Sequence, residues 1–67
     1  MKLRIGDKVE LNHDLDYKKV IIVGFDYHEE KQVDIAYSKE HWFYLHQIRK
    51  INGIKVRGKI EISRNKK

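Results

Sequence analysis

The sequence predicts an all-β fold, a small barrel of five strands with an added C-terminal strand or hairpin. Alternating apolar and polar runs, turn-forming residues every 8–12 positions or so, and the lack of any helical period longer than one turn support this prediction. The 67 residues form one domain. A chain of this length buries only about 60% of its unfolded surface, so the core is small.

Two strands are predicted in the first half of the chain. Residues 7–11 alternate and place Val9 and Leu11 on one face. Residues 17–25 are apolar on both faces, which predicts a central strand, and Gly24 is the expected position of a bend or bulge. A polar loop of turn-forming residues separates the two strands.

The next strand is predicted at residues 32–37, where the alternation places Val33, Ile35 and Tyr37 on one face. The following stretch, HWFYLHQI at 41–48, contains the only tryptophan of the chain. It does not alternate, because four apolar residues stand in a row.

A strand followed by one helical turn near residues 46–49 explains HWFYLHQI best. In that arrangement Phe43, Leu45 and Ile48 point into the core. Trp42 and Tyr44 then point outward. Their environment depends on whether the C-terminal segment covers them.

The C-terminal segment is predicted to extend the barrel. Asn52-Gly53 is a strong hairpin signal, and residues 54–62 alternate between apolar and basic residues, which predicts one strand. The expected organisation is therefore a barrel at 1–51, a strand extension at 52–62 and a basic tail at 63–67.

These patterns resemble the small SH3-like barrels of the Tudor and KOW type. The resemblance is carried by Ile5-Gly6-Asp7-Lys8-Val9, by Val20-Ile21-Ile22-Val23-Gly24-Phe25-Asp26, and by Trp42-Phe43-Tyr44-Leu45 with Ile48-Arg49-Lys50-Ile51. It covers residues 5–51 and implies a five-stranded barrel with a short helical turn before its last strand. Such motifs indicate a fold rather than a function.

A weaker resemblance connects the chain to the plasmid-borne, trimethoprim-insensitive dihydrofolate reductases, which are tetramers of such barrels. Gly6-Asp7-Lys8-Val9, Ile22-Val23-Gly24-Phe25 and Ile51-Asn52 are similar to segments of that family. The family binds its substrate through a Gln-Ile-Tyr run, where this chain has His41-Trp42-Phe43. The resemblance therefore implies a tendency to self-associate and does not imply reductase activity.

Composition excludes several classes of site. The chain has no cysteine, which excludes disulfides and cysteine-ligated zinc, and its four histidines lack the spacing of a metal motif. No apolar run approaches the roughly 20 residues of a membrane span, and no signal peptide pattern is present. We expect a cytoplasmic protein without cofactor or membrane partner.

No catalytic constellation is visible in the sequence. The paired carboxylates Asp14/Asp16 and Glu29/Glu30 fall in predicted loops, where water surrounds them. Ser38 and Ser63 lack the context of a nucleophile elbow. The sequence thus predicts a binding protein rather than an enzyme.

The charge distribution predicts a basic surface at the C-terminal end. Residues 1–48 carry a net charge of −2 and residues 49–67 a net charge of +7. Side chains on one face of a strand stand about 6.8 Å apart, and cations at that spacing can follow nucleic-acid phosphates. The alternative is an edge strand whose lysines prevent aggregation. The residues assigned to this surface are Lys55, Arg57, Lys59, Arg49, Lys50 and Arg64.

A second candidate surface is aromatic and consists of Trp42, Tyr44, Tyr37 and Tyr27. It could bind a peptide or stack on bases. Burial beneath the C-terminal strand and use as a dimer interface are the two alternatives.

Two functions follow from these surfaces. The first is a non-enzymatic module that binds nucleic acid through the basic strand and adjacent aromatic residues. The alternative is a protein-interaction module, such as a phage or mobile-element accessory inhibitor of a host protein, which is typical of free-standing chains of this size beginning at Met1. Homodimers and higher oligomers, including one with a ligand site between copies, remain open. Both surfaces on one face would favour nucleic acid, and opposite faces would favour a protein partner or an oligomer.

Overall fold

A computed structural model describes residues 1–63, and these contain nine short strands and one 3₁₀ turn. The first strands are β1 (Lys2–Leu3), β2 (Lys8–Leu11), β3 (Lys19–Ile21), β4 (Gly24–His28) and β5 (Val33–Tyr37). The others are β6 (Trp42–Tyr44), β7 (Ile48–Ile51), β8 (Ile54–Lys55) and β9 (Glu61–Ile62), with the 3₁₀ turn at Leu45–Gln47. Arg64 and the rest of the predicted tail lie outside the described residues.

The strands form three sheets, which confirms the all-β prediction. The first sheet has the antiparallel order β3-β2-β7-β8, and the second has the order β4-β5-β6. The third pairs β1 with β9 in parallel. Among residues 1–63 none of these sheets closes into a barrel.

One core fills the space between the sheets. On β2, Val9 and Leu11 are buried as predicted, and on β6 the ring of Phe43 is 1% exposed. The buried side chains come from all three sheets and their connections: Leu3, Val9, Leu11, Ile22, Ala36, Phe43, Ile48 and Ile51. Because both larger sheets turn one side to this core, their other sides face outward and away from each other.

The segment 17–25 differs from the predicted central strand. The chain passes from the first sheet to the second at residues 22 and 23, where Ile22 N donates to Asp7 O (2.9 Å) and Val23 N donates to Tyr37 O (2.9 Å). β3 is therefore an edge strand, and Ile21 is 52% exposed and Val23 48% exposed. The apolar residues on both faces of this segment predicted a central strand with both faces buried. This prediction is wrong, because the face that carries Ile21 is exposed to solvent.

Gly24 is buried because the ring of Tyr37 lies over it. The two residues are directly opposite on β4 and β5, and a Cβ at Gly24 would overlap the ring. The glycine thus permits a close ring-to-backbone approach. The bend itself lies directly before the predicted position, at Ile22–Val23.

The predicted hairpin at Asn52-Gly53 is confirmed. Asn52 (φ 52°) and Gly53 (φ 83°) both have positive φ, as a two-residue type I′ turn requires, and the turn joins β7 to β8. The side chain of Asn52 also accepts from Lys8 N (3.0 Å) and donates to Asp7 Oδ1 (3.1 Å). These bonds attach the turn to the start of β2.

The single strand predicted at 54–62 is wrong. β8 ends at Lys55, and after Gly58 (φ 73°) the chain turns to pair β9 with β1. Ile62 lies opposite Leu3 in that pair, whereas Ile54 is 63% exposed. The apolar residues of this segment therefore do not share one face.

The helical turn predicted near 46–49 is present at Leu45–Gln47 and connects β6 to β7. Tyr44 N donates to Gln47 Oε1 (3.0 Å) at its start. Leu45 is half-buried and Ile48 is buried, so both contribute to the core as predicted. The part of the chain described contains no helix with the length and apolar character needed to cross a membrane.

Candidate functional site

A groove with a mainly basic lining lies on the outward side of the first sheet. Alternation on β2 buries Val9 and Leu11 and turns Glu10 outward into this groove. The lining residues are Glu10, Leu11, His13, Lys18, Lys19, Arg49, Lys50 and Lys55. Five cations against one carboxylate give the groove, named here the basic groove, a positive potential that attracts anions.

Strand register explains why these charges converge. Lys19 lies opposite Glu10, Glu10 lies opposite Lys50, and Lys50 lies opposite Lys55. The four residues form one row across β3, β2, β7 and β8, with neighbouring strands about 4.8 Å apart. A single carboxylate can neutralise only one of the three lysines.

The pairing of Lys50 with Lys55 is unfavourable for the free protein. Like charges directly opposite on antiparallel strands destabilise the pair, on the scale of about 0.2–1 kcal/mol for such cross-strand contacts. A bound anion would remove this repulsion. The row of lysines is therefore more stable when an anion occupies the groove than when the groove is empty.

The end of the basic groove is held by a contact between strand β7 and the loop that follows β2. Arg49 Nη1 lies 2.9 Å from His13 Nδ1, and because a guanidinium can only donate, the histidine accepts through that nitrogen. The bond spans 36 residues of sequence. It places His13 beside the cations of β7, which spacing along the sequence did not predict.

The structure brings together half of the predicted basic residues. Arg49, Lys50 and Lys55 line the groove, whereas Lys59 lines a separate depression beside His46. The carbonyl of Lys59 accepts from the N-terminal ammonium (3.0 Å), and Arg57 N donates to the sulfur of Met1 (3.3 Å). Arg57 follows the end of β8, Lys59 lies beyond the turn at Gly58, and Arg64 lies outside the described residues.

Sequence reasoning missed the contribution of the first half of the chain to the basic groove. Lys18 and Lys19 enter it because β3 pairs with β2, and Glu10 lies at its centre. Two features of the sequence were consistent with this contribution. Lys18 and Lys19 stand together at the start of an apolar run, and the polar Glu10 stands between Val9 and Leu11. That signal becomes informative only once the strand order is known.

The outward side of the second sheet is aromatic and apolar. Tyr37 lies opposite Trp42, and Ile35 lies opposite both Asp26 and Tyr44. The residues of this surface, named here the aromatic face, are Asp26, His28, Val33, Ile35, Tyr37, Trp42 and Tyr44. Of these seven, Asp26 is the one acidic residue, and none is a lysine or arginine.

The rings of the aromatic face are in mutual contact. Trp42 and Tyr44 meet edge to face, with centroids 5.3 Å apart and planes at 85°. His28 lies 5.7 Å from Trp42 and 5.8 Å from Tyr44, and His46 stacks on Tyr44 at 5.4 Å. Trp42 is still 48% exposed, so residues 54–62 do not cover it.

Tyr27, which the sequence assigned to this surface, lies elsewhere, and the neighbouring ring of His41 has a different partner. Tyr27 pairs with Asp34 and so points to the opposite side of β4 from His28, although it is 51% exposed. His41 stacks on Tyr17 with centroids 3.9 Å apart. Tyr17 Oη also donates to Trp42 O (3.3 Å), and this bond attaches the loop that contains Tyr17 to the start of β6.

No cluster of three or more potential metal ligands occurs within residues 1–63. Ser38 has a structural role, since its hydroxyl donates to His41 O (3.1 Å) and accepts from His41 N (3.2 Å). These bonds close the turn between β5 and β6.

The basic groove and the aromatic face lie on the outward sides of two different sheets that share one core. One ligand bound in the groove therefore does not meet the aromatic face directly. By the criterion set out above, this separation counts against nucleic acid bound by both surfaces together and favours a protein partner or an oligomer. Comparison of the chain with protein-family models, curated proteins and solved structures finds no match.

Proposed function

We propose that this protein is a non-enzymatic module that binds nucleic acid by holding the phosphate backbone in the basic groove. The observation that supports this function best is the row of Lys19, Lys50 and Lys55 around a single carboxylate, Glu10. Lys18 and Arg49 add two further cations to the same groove. A phosphate backbone offers regularly repeated anions to such a row.

The proposed binding is insensitive to nucleotide sequence. Lysine acts as a point charge and lacks the forked geometry that reads a guanine edge. Arg49 has that geometry, but its guanidinium is engaged with His13. Phosphate contacts of this kind position a protein on nucleic acid without specifying bases.

The same proposal extends to the fold, which we assign to the small SH3-like barrels of the Tudor and KOW type. Two features support this assignment: the chain bends from one sheet into the other at Ile22–Val23, and a 3₁₀ turn precedes β7. An experimental structure in which β3 and β4 lie in a single flat sheet would contradict it.

Salt dependence tests the proposed function. If three to five groove cations each contact a phosphate, the logarithm of the binding constant for duplex DNA should fall with the logarithm of salt concentration at a slope of roughly −3 to −4.5. Fluorescence anisotropy with labelled duplexes of unrelated sequence measures this slope. The proposal also requires these duplexes to bind about equally well.

Two results of this titration would contradict the proposed function. The first is the absence of binding to either duplex or single-stranded nucleic acid at low salt. The second is binding whose strength does not change with salt, because phosphate contacts release counterions and cannot be independent of ionic strength.

A second candidate function, protein interaction, is favoured by the aromatic face. Its largest side chain, Trp42, is 48% exposed, and Val33 is 41% exposed. Tryptophan and tyrosine are enriched where proteins bind each other. In this candidate function the protein acts as an accessory module or inhibitor whose partner covers Trp42 and Tyr44.

A further inference from the structure

The aromatic face has a composition that is unusual for this chain. Charged residues make up 37% of the sequence, yet the face has seven residues with Asp26 as its one charge. It carries no lysine or arginine to contact a phosphate, which argues against a nucleic-acid strand as its occupant. Its exposed apolar side chains favour contact with another protein surface.

The rim of the aromatic face carries charges of both signs. One open depression is lined by Asp26, Lys39 and Glu40 together with the rings of Tyr37 and Trp42. A two-fold axis brings the same patch from two molecules together, and in a patch with both signs of charge it can set a cation of one copy against an anion of the other. Lys39 of one copy can meet Asp26 or Glu40 of the next in this way.

The position of the basic groove also favours this arrangement. The chain carries a net charge of +5, and the groove concentrates five cations on the first sheet. Two copies that met through the groove would repel each other. Two copies that meet through the second sheet keep their grooves on the outer sides of the pair.

We infer that the aromatic face is a self-association surface, through which two copies of this chain form a two-fold symmetric dimer with a basic groove on each outer side. This inference goes beyond the proposed function and does not depend on it, since it concerns the protein without nucleic acid. A face of three short strands is small beside the roughly 800 Å² per partner of a standard interface. The dimer should therefore be reversible and depend on protein concentration.

Sedimentation equilibrium over a wide range of protein concentration tests this inference, using the full chain without nucleic acid. The average mass should rise with concentration from 8.1 kDa toward twice that value. Val33→Glu should weaken the dimer at least about tenfold, because it places a charge inside the interface. Trp42→Ser is a second variant that removes the largest exposed side chain of the face.

Ile54→Glu is the matched control. It introduces the same charge at an exposed β-branched residue, but on edge strand β8 of the other sheet, and Ile54 lines neither depression that contains Lys39 and Glu40. The dimer should be retained in this variant. Circular dichroism of each variant establishes that the chain is folded before its mass is interpreted.

Several outcomes would overturn the inference. A wild-type chain that stays at 8.1 kDa at the highest concentration has no self-association surface. Equal dissociation of the Val33→Glu and Ile54→Glu variants, or dissociation of the Ile54→Glu variant alone, would place the contact elsewhere. None of these results would affect the binding of nucleic acid in the basic groove, so the two proposals fail independently.

Discussion

Replacement of Phe43 by alanine is expected to lower the free energy of unfolding by about 3–5 kcal/mol. The ring is 1% exposed, lies among the buried residues of both larger sheets and contacts Tyr17 at a centroid distance of 6.5 Å. A 67-residue domain has roughly 3–10 kcal/mol of stability in total. The Phe43→Ala variant should therefore lose a large part of this stability, and its unfolding midpoint in urea, followed by circular dichroism, should fall accordingly.

Trp42→Ala is the control for this prediction. The two residues are adjacent, but Trp42 is 48% exposed on the outward side of β6. Removal of the Trp42 side chain should lower the free energy of unfolding by about 1–2 kcal/mol, because only about half of that side chain is buried. The Trp42→Ala variant should remain folded. Equal destabilisation by the two substitutions would contradict the assignment of Phe43 to the core and Trp42 to the surface.

Neutralisation of two lysines of the basic groove is expected to weaken nucleic-acid binding about 30-fold. Lys50→Gln with Lys55→Gln removes two charges that each contribute at least about 1 kcal/mol to a phosphate contact in fully hydrated surroundings. The salt slope should also become shallower by about 2. Fluorescence anisotropy at several salt concentrations measures both effects.

The matched control is Arg57→Gln with Lys59→Gln. It removes the same net charge from the same segment of sequence, but neither residue lines the basic groove. This pair should weaken binding only a few-fold, through the general loss of positive potential. If the control pair weakened binding as much as the groove pair, net charge rather than groove geometry would account for affinity.

Local sequence signals predicted the parts of the fold that depend on neighbouring residues. Alternation predicted the burial of Val9 and Leu11, and the Asn52-Gly53 pair predicted its hairpin, because positive φ at both positions is a local requirement. The change from strand to 3₁₀ turn in HWFYLHQI likewise predicted that Phe43 and Ile48 point inward. Each of these properties is encoded within a few residues.

The features that were missed depend on pairing between distant parts of the chain. Lys19 and Lys50 belong to one groove only because β2 pairs with both β3 and β7. The face to which a strand residue belongs also changes with a shift of one position, which is why His28 rather than Tyr27 joins Trp42. Gly58 has a positive φ, which interrupts the strand predicted at 54–62. The alternation of apolar and basic residues does not predict this backbone conformation.

The central claim, that nucleic acid lies in the basic groove, is tested most directly by titrating ¹⁵N-labelled protein with a short DNA duplex and following the backbone amide shifts. The largest shifts should occur at Lys18, Lys19, Lys50 and Lys55, which line the groove from three strands and a loop. Amides of the aromatic face should change little. Largest shifts at Trp42 and Tyr44, with the groove amides unchanged, would contradict the claim.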